Sequence, residues 1–193
     1  MSWRTETIKT CGQPDELAAR ADVEIASRGF RMTILLERNL DPALPASHVI
    51  ELTVAVSGDL GGGVVANIPG ILMKSNEQAR GTPMAGLAVK VTSSFFLVGL
   101  SAVDADRRRN LQLLLERGWF DIPMVYGNQR RAIIAIEKGA SGDEVFRTLL
   151  TVWRQYPDST QPADSTQPEP SEESKYAMPD EWRRTMMRRP KAQ

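Results

Sequence analysis

Apolar and polar side chains alternate with a period of two in three segments of the first 56 residues, and this alternation limits the fold more than any other feature of the chain. In Leu17 to Ile25, the residues Leu17, Ala19, Ala21, Val23 and Ile25 fall on one side of an extended backbone, with Arg20, Asp22 and Glu24 on the other. Phe30, Met32, Ile34 and Leu36 alternate in the same way with Arg31, Thr33, Leu35 and Glu37. So do Ile50, Leu52, Val54 and Val56 with Val49, Glu51, Thr53 and Ala55. A helix would scatter these side chains around its circumference, whereas a strand sorts them into a core face and a water face. The pattern is that of antiparallel strands, with Val23, Ile34 and Leu52 facing a common core. Ser27 to Gly29 supplies a short turn between the first two strands, and Asn39 to Ser47 a longer loop whose prolines cannot donate to a ladder.

Short apolar runs then recur between turn residues: Ile71 to Lys74, Leu87 to Thr92, Phe95 to Leu100, Trp119 to Tyr126 and Arg131 to Glu137. Two helices interrupt them. One is predicted over Asp104 to Arg117, with Asp104 as its N-cap, Asp106 in its first turn, Leu111, Leu114 and Leu115 facing inward, and Gly118 as its C-terminal cap. The other is predicted to start at Ser141, where Ser141 and Glu144 have capping-box spacing, and to carry Val145, Phe146, Leu149, Leu150 and Trp153 on one stripe. The expected fold is mainly β: an antiparallel β-sandwich or partly open barrel with two short helices.

That domain is expected to occupy residues 1–156. From Pro157 the composition changes to PDSTQPADSTQPEPSEES, with five acids (Asp158, Asp164, Glu169, Glu172, Glu173) and no base. Without apolar groups to offset the entropy cost of ordering, residues 157–174 are expected to form a disordered, extended tether. Residues 175–193, KYAMPDEWRRTMMRRPKAQ, then form a basic peptide. Pro179, Asp180 and Glu181 suit a helix start, and Arg188, Arg189 and Lys191 its end. Met178, Trp182, Thr185 and Met186 share one face of that helix. Such a Trp and Met face beside arginines is what a groove-binding peptide presents to a protein partner. Met178, Trp182, Arg183, Met186, Arg188 and Arg189 are therefore the candidate partner-binding residues. A tail folded back on its own domain, a frayed end, or a peptide on a membrane surface are the other readings of the same pattern.

The chemistry available to the chain is narrow. Its 24 basic and 24 acidic side chains cancel, so no overall field gathers nucleic acid. One cysteine, Cys11, excludes an intramolecular disulfide or a cysteine metal cluster, and one histidine, His48, removes most histidine chemistry. His48 follows Ser47, but neighbours in a strand point to opposite faces, so it is expected to be a strand-edge histidine. Gly61, Gly63 and Ala66 match a dinucleotide-binding turn, yet such a turn must open a helix, and Pro69 and Gly70 would stop one within two turns. A hairpin turn or strand entry, with no nucleotide, is the expectation. Asp104, Asp106, Glu116 and Asp121 are the carboxylates placed near apolar sequence, and Arg107 to Asn110 is expected to be a solvated basic face. Trp119, Phe120 and Tyr126 are expected to be core or interface anchors. No catalytic set, metal site or cofactor site emerges.

The stretches NIPGILMKSNEQARGTPMAGLAVKVTSSFFLVGLSAVDADRRRNLQLL and RGWFDIPMVYGNQRRAIIAIEKGASGDEVF, with WRTE, RADVEI and LPASHVIEL upstream, resemble the C-terminal β-rich module of large uncharacterised alphaproteobacterial proteins. The resemblance covers Trp3 to Trp153 and brings no assigned activity with it. The ending alone, a helix, a strand, a basic hairpin, an EKG-like turn and a helix, is similar to the invasion-associated protein B family of secreted β-sandwich proteins. The N-terminus lacks an apolar signal-like run and no stretch reaches bilayer length, so a cytoplasmic chain is expected, or an envelope one if an upstream segment precedes it. The expected function is that of a non-enzymatic binding or assembly module acting on a protein partner through its tail. The alternatives are a small-ligand carrier or enzyme, with a site between the sheets near Trp119 to Tyr126 and the Gly81 to Gly86 loop, or an idle fragment of a longer protein.

Overall fold

The computed structural model describes residues 2–9, 15–56 and 64–155. The alternating segments form β1 (Trp3–Ile8), β2 (Glu16–Ile25), β3 (Phe30–Arg38) and β4 (Ala46–Val56). With β8 (Gly86–Lys90) and β9 (Phe95–Ser101) they build a six-stranded antiparallel sheet in the order β1-β2-β3-β4-β9-β8. The second sheet joins β11 (Arg131–Glu137), β10 (Trp119–Tyr126), β6 (Leu72–Lys74) and β7 (Thr82–Pro83) in that order, and β5 (Val65–Asn67) also pairs with β10. The sheets do not close into a barrel. They share one buried cluster, so the architecture is a mainly β antiparallel sandwich.

Register explains why the alternation is so clean. Trp3 stands opposite Ala21, Ala21 opposite Ile34, Ile34 opposite Leu52, and Leu52 opposite Phe96, so a single row of core side chains crosses five strands. A slip of one residue in any pairing would turn that strand's apolar set toward water. On the outer face of β1 to β3 the polar partners form cross-strand ion pairs: Arg4 with Asp22 at 2.7 Å and Arg31 with Glu24 at 3.0 Å. They are solvent-exposed and contribute little each. The turn between β2 and β3 is a single 3-10 turn, Ala26–Arg28, closed by Gly29 in the left-handed conformation (φ 54°).

The helices α1 (Asp104–Glu116) and α2 (Gly139–Gln155) complete the core. On α2 the expected stripe of Val145, Phe146, Leu149, Leu150 and Trp153 is buried. Phe146 meets Trp3 at 5.0 Å and Phe120 at 5.7 Å, and Trp3 stacks on Phe120 at 5.1 Å, so three aromatic rings tie the helix to both sheets. Each such ring contributes on the order of 1.5–3 kcal/mol by leaving water.

Four details of the helices differ from expectation. Val103, not Asp104, is the N-cap of α1; the first helical bond runs from Arg107 N–H to the Val103 carbonyl, which leaves Asp104 inside the first turn, paired with Arg107 at 3.2 Å. The inward leucines are Leu113 and Leu114, with Leu111 partly buried, while Leu115 faces outward. Asn110 decides the rotation, because its amide accepts from Ala85 N–H at 2.9 Å and donates to the Ala85 carbonyl at 2.7 Å, drawing the 110–113–114 face inward. Gly118 is not a left-handed cap: Arg117 is extended (φ −93°, ψ 133°), and the last carbonyls of α1 find a lysine instead, as described below. Finally, α2 begins at Gly139, two residues before Ser141, so Ser141 and Glu144 form no capping box at its start; the Ser141 hydroxyl accepts from Trp3 N–H at 3.4 Å.

Candidate functional site

Three buried ionic groups are candidates for chemistry, and each is engaged in holding elements together. Lys138, at the β11–α2 junction, is buried; its Nζ donates to the Leu114 carbonyl at 2.8 Å, pairs with Asp143 at 3.1 Å and lies 5.1 Å from the Phe146 ring centroid. It thus supplies the donor that a glycine cap would have supplied at the end of α1. Burial pulls its ammonium below the usual lysine range, with Asp143 opposing. Lys74 on β6 pairs with Asp121 on β10 at 2.7 Å and donates to the Glu77 carbonyl at 2.7 Å, fixing the turn after β6. Arg38 and Glu16 make a two-pronged contact, 2.7 Å on each prong, between β3 and β2. Removing one member of such a pair strands a buried charge.

His48 differs from the strand-edge residue expected. It sits in β4, an interior strand, 4% exposed, with its ring 4.7 Å from that of Trp153 on α2. The β4–β9 register shifts between Ala46 and His48, and this irregularity lets neighbouring side chains meet: His48 Nδ1 lies 3.1 Å from Ser47 Oγ. The Ser47 hydroxyl also lies within hydrogen-bond reach of the Ser101 carbonyl at 2.9 Å, and when it donates there its Oγ accepts from Nδ1 in the tautomer protonated at that nitrogen. Nε2 is buried without a partner among the described residues. Burial, then the charges of Arg107 and Arg38, push the His48 pKa down to about 3. The imidazole is therefore neutral at physiological pH.

The other expected positions divide between core and surface. Phe120 is in the core, Trp119 is half-buried near Lys74, and Glu116 accepts from Gln112 at 2.9 Å on the surface of α1. Within Arg107 to Asn110, Arg108 and Arg109 are exposed, while Asn110 is the buried strut to Ala85. Among the described residues, no three His, Cys, Asp or Glu side chains converge as a metal site would require, and no helix is long and apolar enough to cross a membrane. Gly58 to Gly63 lie outside the described residues, but Val65–Asn67 directly after them is a strand hydrogen-bonded to β10, where a dinucleotide site needs a helix. The docking residues Met178, Trp182, Arg183, Met186, Arg188 and Arg189 also lie outside the described residues.

A cleft of about 420 Å³ opens between the sheets, with Ile25, Arg28 and Phe30 from the β2–β3 turn on one side and Tyr126, Arg130, Arg131 and residues 132–135 on the other. It meets the expected region only at Tyr126. The Gly81 to Gly86 loop does not line it; there a Cβ at Gly81 would stand 2.8 Å from Leu72 Cβ, and one at Gly86 2.4 Å from the Gly99 carbonyl. The cleft's basic residues, in SRG and GNQRR, were visible in the sequence only as turn residues. Their convergence depends on how two turns from different sheets meet. No family model matches the chain, and no curated protein or solved structure matches it either.

Proposed function

We propose that the chain is a non-enzymatic binding or assembly module, in which the sandwich is a scaffold and residues 175–193 dock on a protein partner. The observation that carries this reading is the anchoring of α2. Trp153 donates through Nε1 to the Leu17 carbonyl at 3.2 Å and packs on His48, so the last turn of α2 is fixed to the sandwich, and in the sequence the acidic stretch and the Trp/Met peptide follow it. The use of Lys138, Lys74, Asp121, Arg38 and Glu16 as struts between elements supports a scaffold role as well. The test is co-purification of a stoichiometric protein partner with the full chain and with a chain ending at residue 156. The partner should be lost with the tail. Equal recovery by both would refute the reading.

The cleft between the sheets favours a second reading, a carrier of a small ligand. Its volume lies within the roughly 300–1,000 Å³ of small-molecule sites.

A further inference from the structure

Charge and polarity in the cleft are unbalanced in a way the scaffold does not require. Arg28, Arg130 and Arg131 line it, and among the described residues no acidic side chain does. The guanidinium groups of Arg28 and Arg131 have no carboxylate partner among the described residues, and both residues are exposed, so neither holds the fold together. Beneath them the surface is apolar: Phe30 is buried, and Ile25, Ile134 and Tyr126 pack against the core cluster. Beside them runs β11, which among the described residues is the end strand of its sheet, paired with β10, so its outward backbone groups border the same cleft.

We propose that this cleft binds an organic anion: a carboxylate, sulfonate or phosphate head held by Arg28 and Arg131, on an apolar body seated against Phe30, Tyr126 and Ile134. Guanidinium forks match such heads in geometry and charge, and the aromatic and aliphatic floor gains by covering an apolar body. Residues 157–174 of the same chain offer carboxylates too, but no large apolar side chain accompanies them, so they would leave the floor uncovered. The inference rests on the second reading above and is independent of tail docking.

Calorimetric titration of the full chain with 2-naphthoate, 2-naphthol and inorganic phosphate tests it. Naphthoate should bind saturably at one site, and naphthol and phosphate at least roughly tenfold more weakly, each lacking one half of the recognition. Arg28→Ala and Arg131→Ala should each weaken naphthoate roughly tenfold while leaving the melting temperature in place. Trp182→Ala should bind naphthoate normally, so that failure of the docking reading and failure of this one are told apart. Absence of saturable binding, indifference to both arginine substitutions, or phosphate binding as tightly as naphthoate would overturn the proposal. A full-length variant with Asp158→Asn, Asp164→Asn, Glu169→Gln, Glu172→Gln and Glu173→Gln should bind naphthoate as the parent does. If binding appears only in that variant, the occupant is the chain's own acidic segment and the organic-anion assignment falls.

Discussion

His48 and Lys138 show how single residues here trade chemistry for structure. A histidine that titrates at about 3 when folded and near 6.5 when unfolded binds fewer protons folded than unfolded between those values. Its contribution to stability is therefore fully present above about pH 6.5 and is lost as the pH falls toward 3, by a few kcal/mol across the window. Urea unfolding at pH 4.5 and pH 7 should show a smaller loss of stability on acidification for His48→Leu than for the parent; parallel losses would contradict the sealed, neutral imidazole. For Lys138 the bonds to carbonyls should outweigh the ion pair, because Asp143 is half exposed. Lys138→Met, which leaves the Leu114 carbonyl unpaired, should cost about 1–3 kcal/mol, and Asp143→Asn less than about 1 kcal/mol. Equal costs in chemical denaturation would mean that the ion pair carries the contact.

At the scale of elements, the glycines separate two kinds of constraint. A Cβ on Gly86 would press into the Gly99 carbonyl of the adjacent strand, which a backbone cannot yield cheaply, so Gly86→Ala should lower the melting temperature by several degrees as β8 is pushed from β9. Gly118 has open space, its nearest neighbour being the Ser75 carbonyl at 3.7 Å, so Gly118→Ala should be neutral or slightly stabilising. A loss of about 1 kcal/mol there would restore the glycine cap that the sequence led one to expect. Strands were legible from sequence because period two leaves a visible signature, and Phe30, Met32, Ile34 and Leu36 are all buried as that signature requires. Helix ends and helix rotation were not. Leu111, Leu113, Leu114 and Leu115 fit more than one apolar face, and the choice was made by Asn110 reaching a loop 25 residues away. The cap of α1 likewise came from Lys138, 24 residues beyond the carbonyl it serves. The cleft was hidden for the same reason, since Arg28 lies in the turn between two strands of one sheet and Arg131 in a strand of the other.

In the molecule as a whole, the two sheets and α2 are held by one core in which Trp3, Phe120 and Phe146 meet. Phe146→Ala should therefore cost about 3–5 kcal/mol and loosen both sheets at once, visible as hydrogen exchange rising together in β1 and β10. Exchange rising in α2 alone would mean that the helix is only an appendage. The central claim is that recognition resides in the tail and folding in the sandwich. Among the described residues the core cluster runs from Trp3 to Trp153. The direct measurement is Trp182→Ala in the full chain, assayed for co-purification of its protein partner and for thermal unfolding. The account predicts loss of the partner with an unchanged melting temperature; retained association, or a lowered melting temperature of the domain, would contradict it.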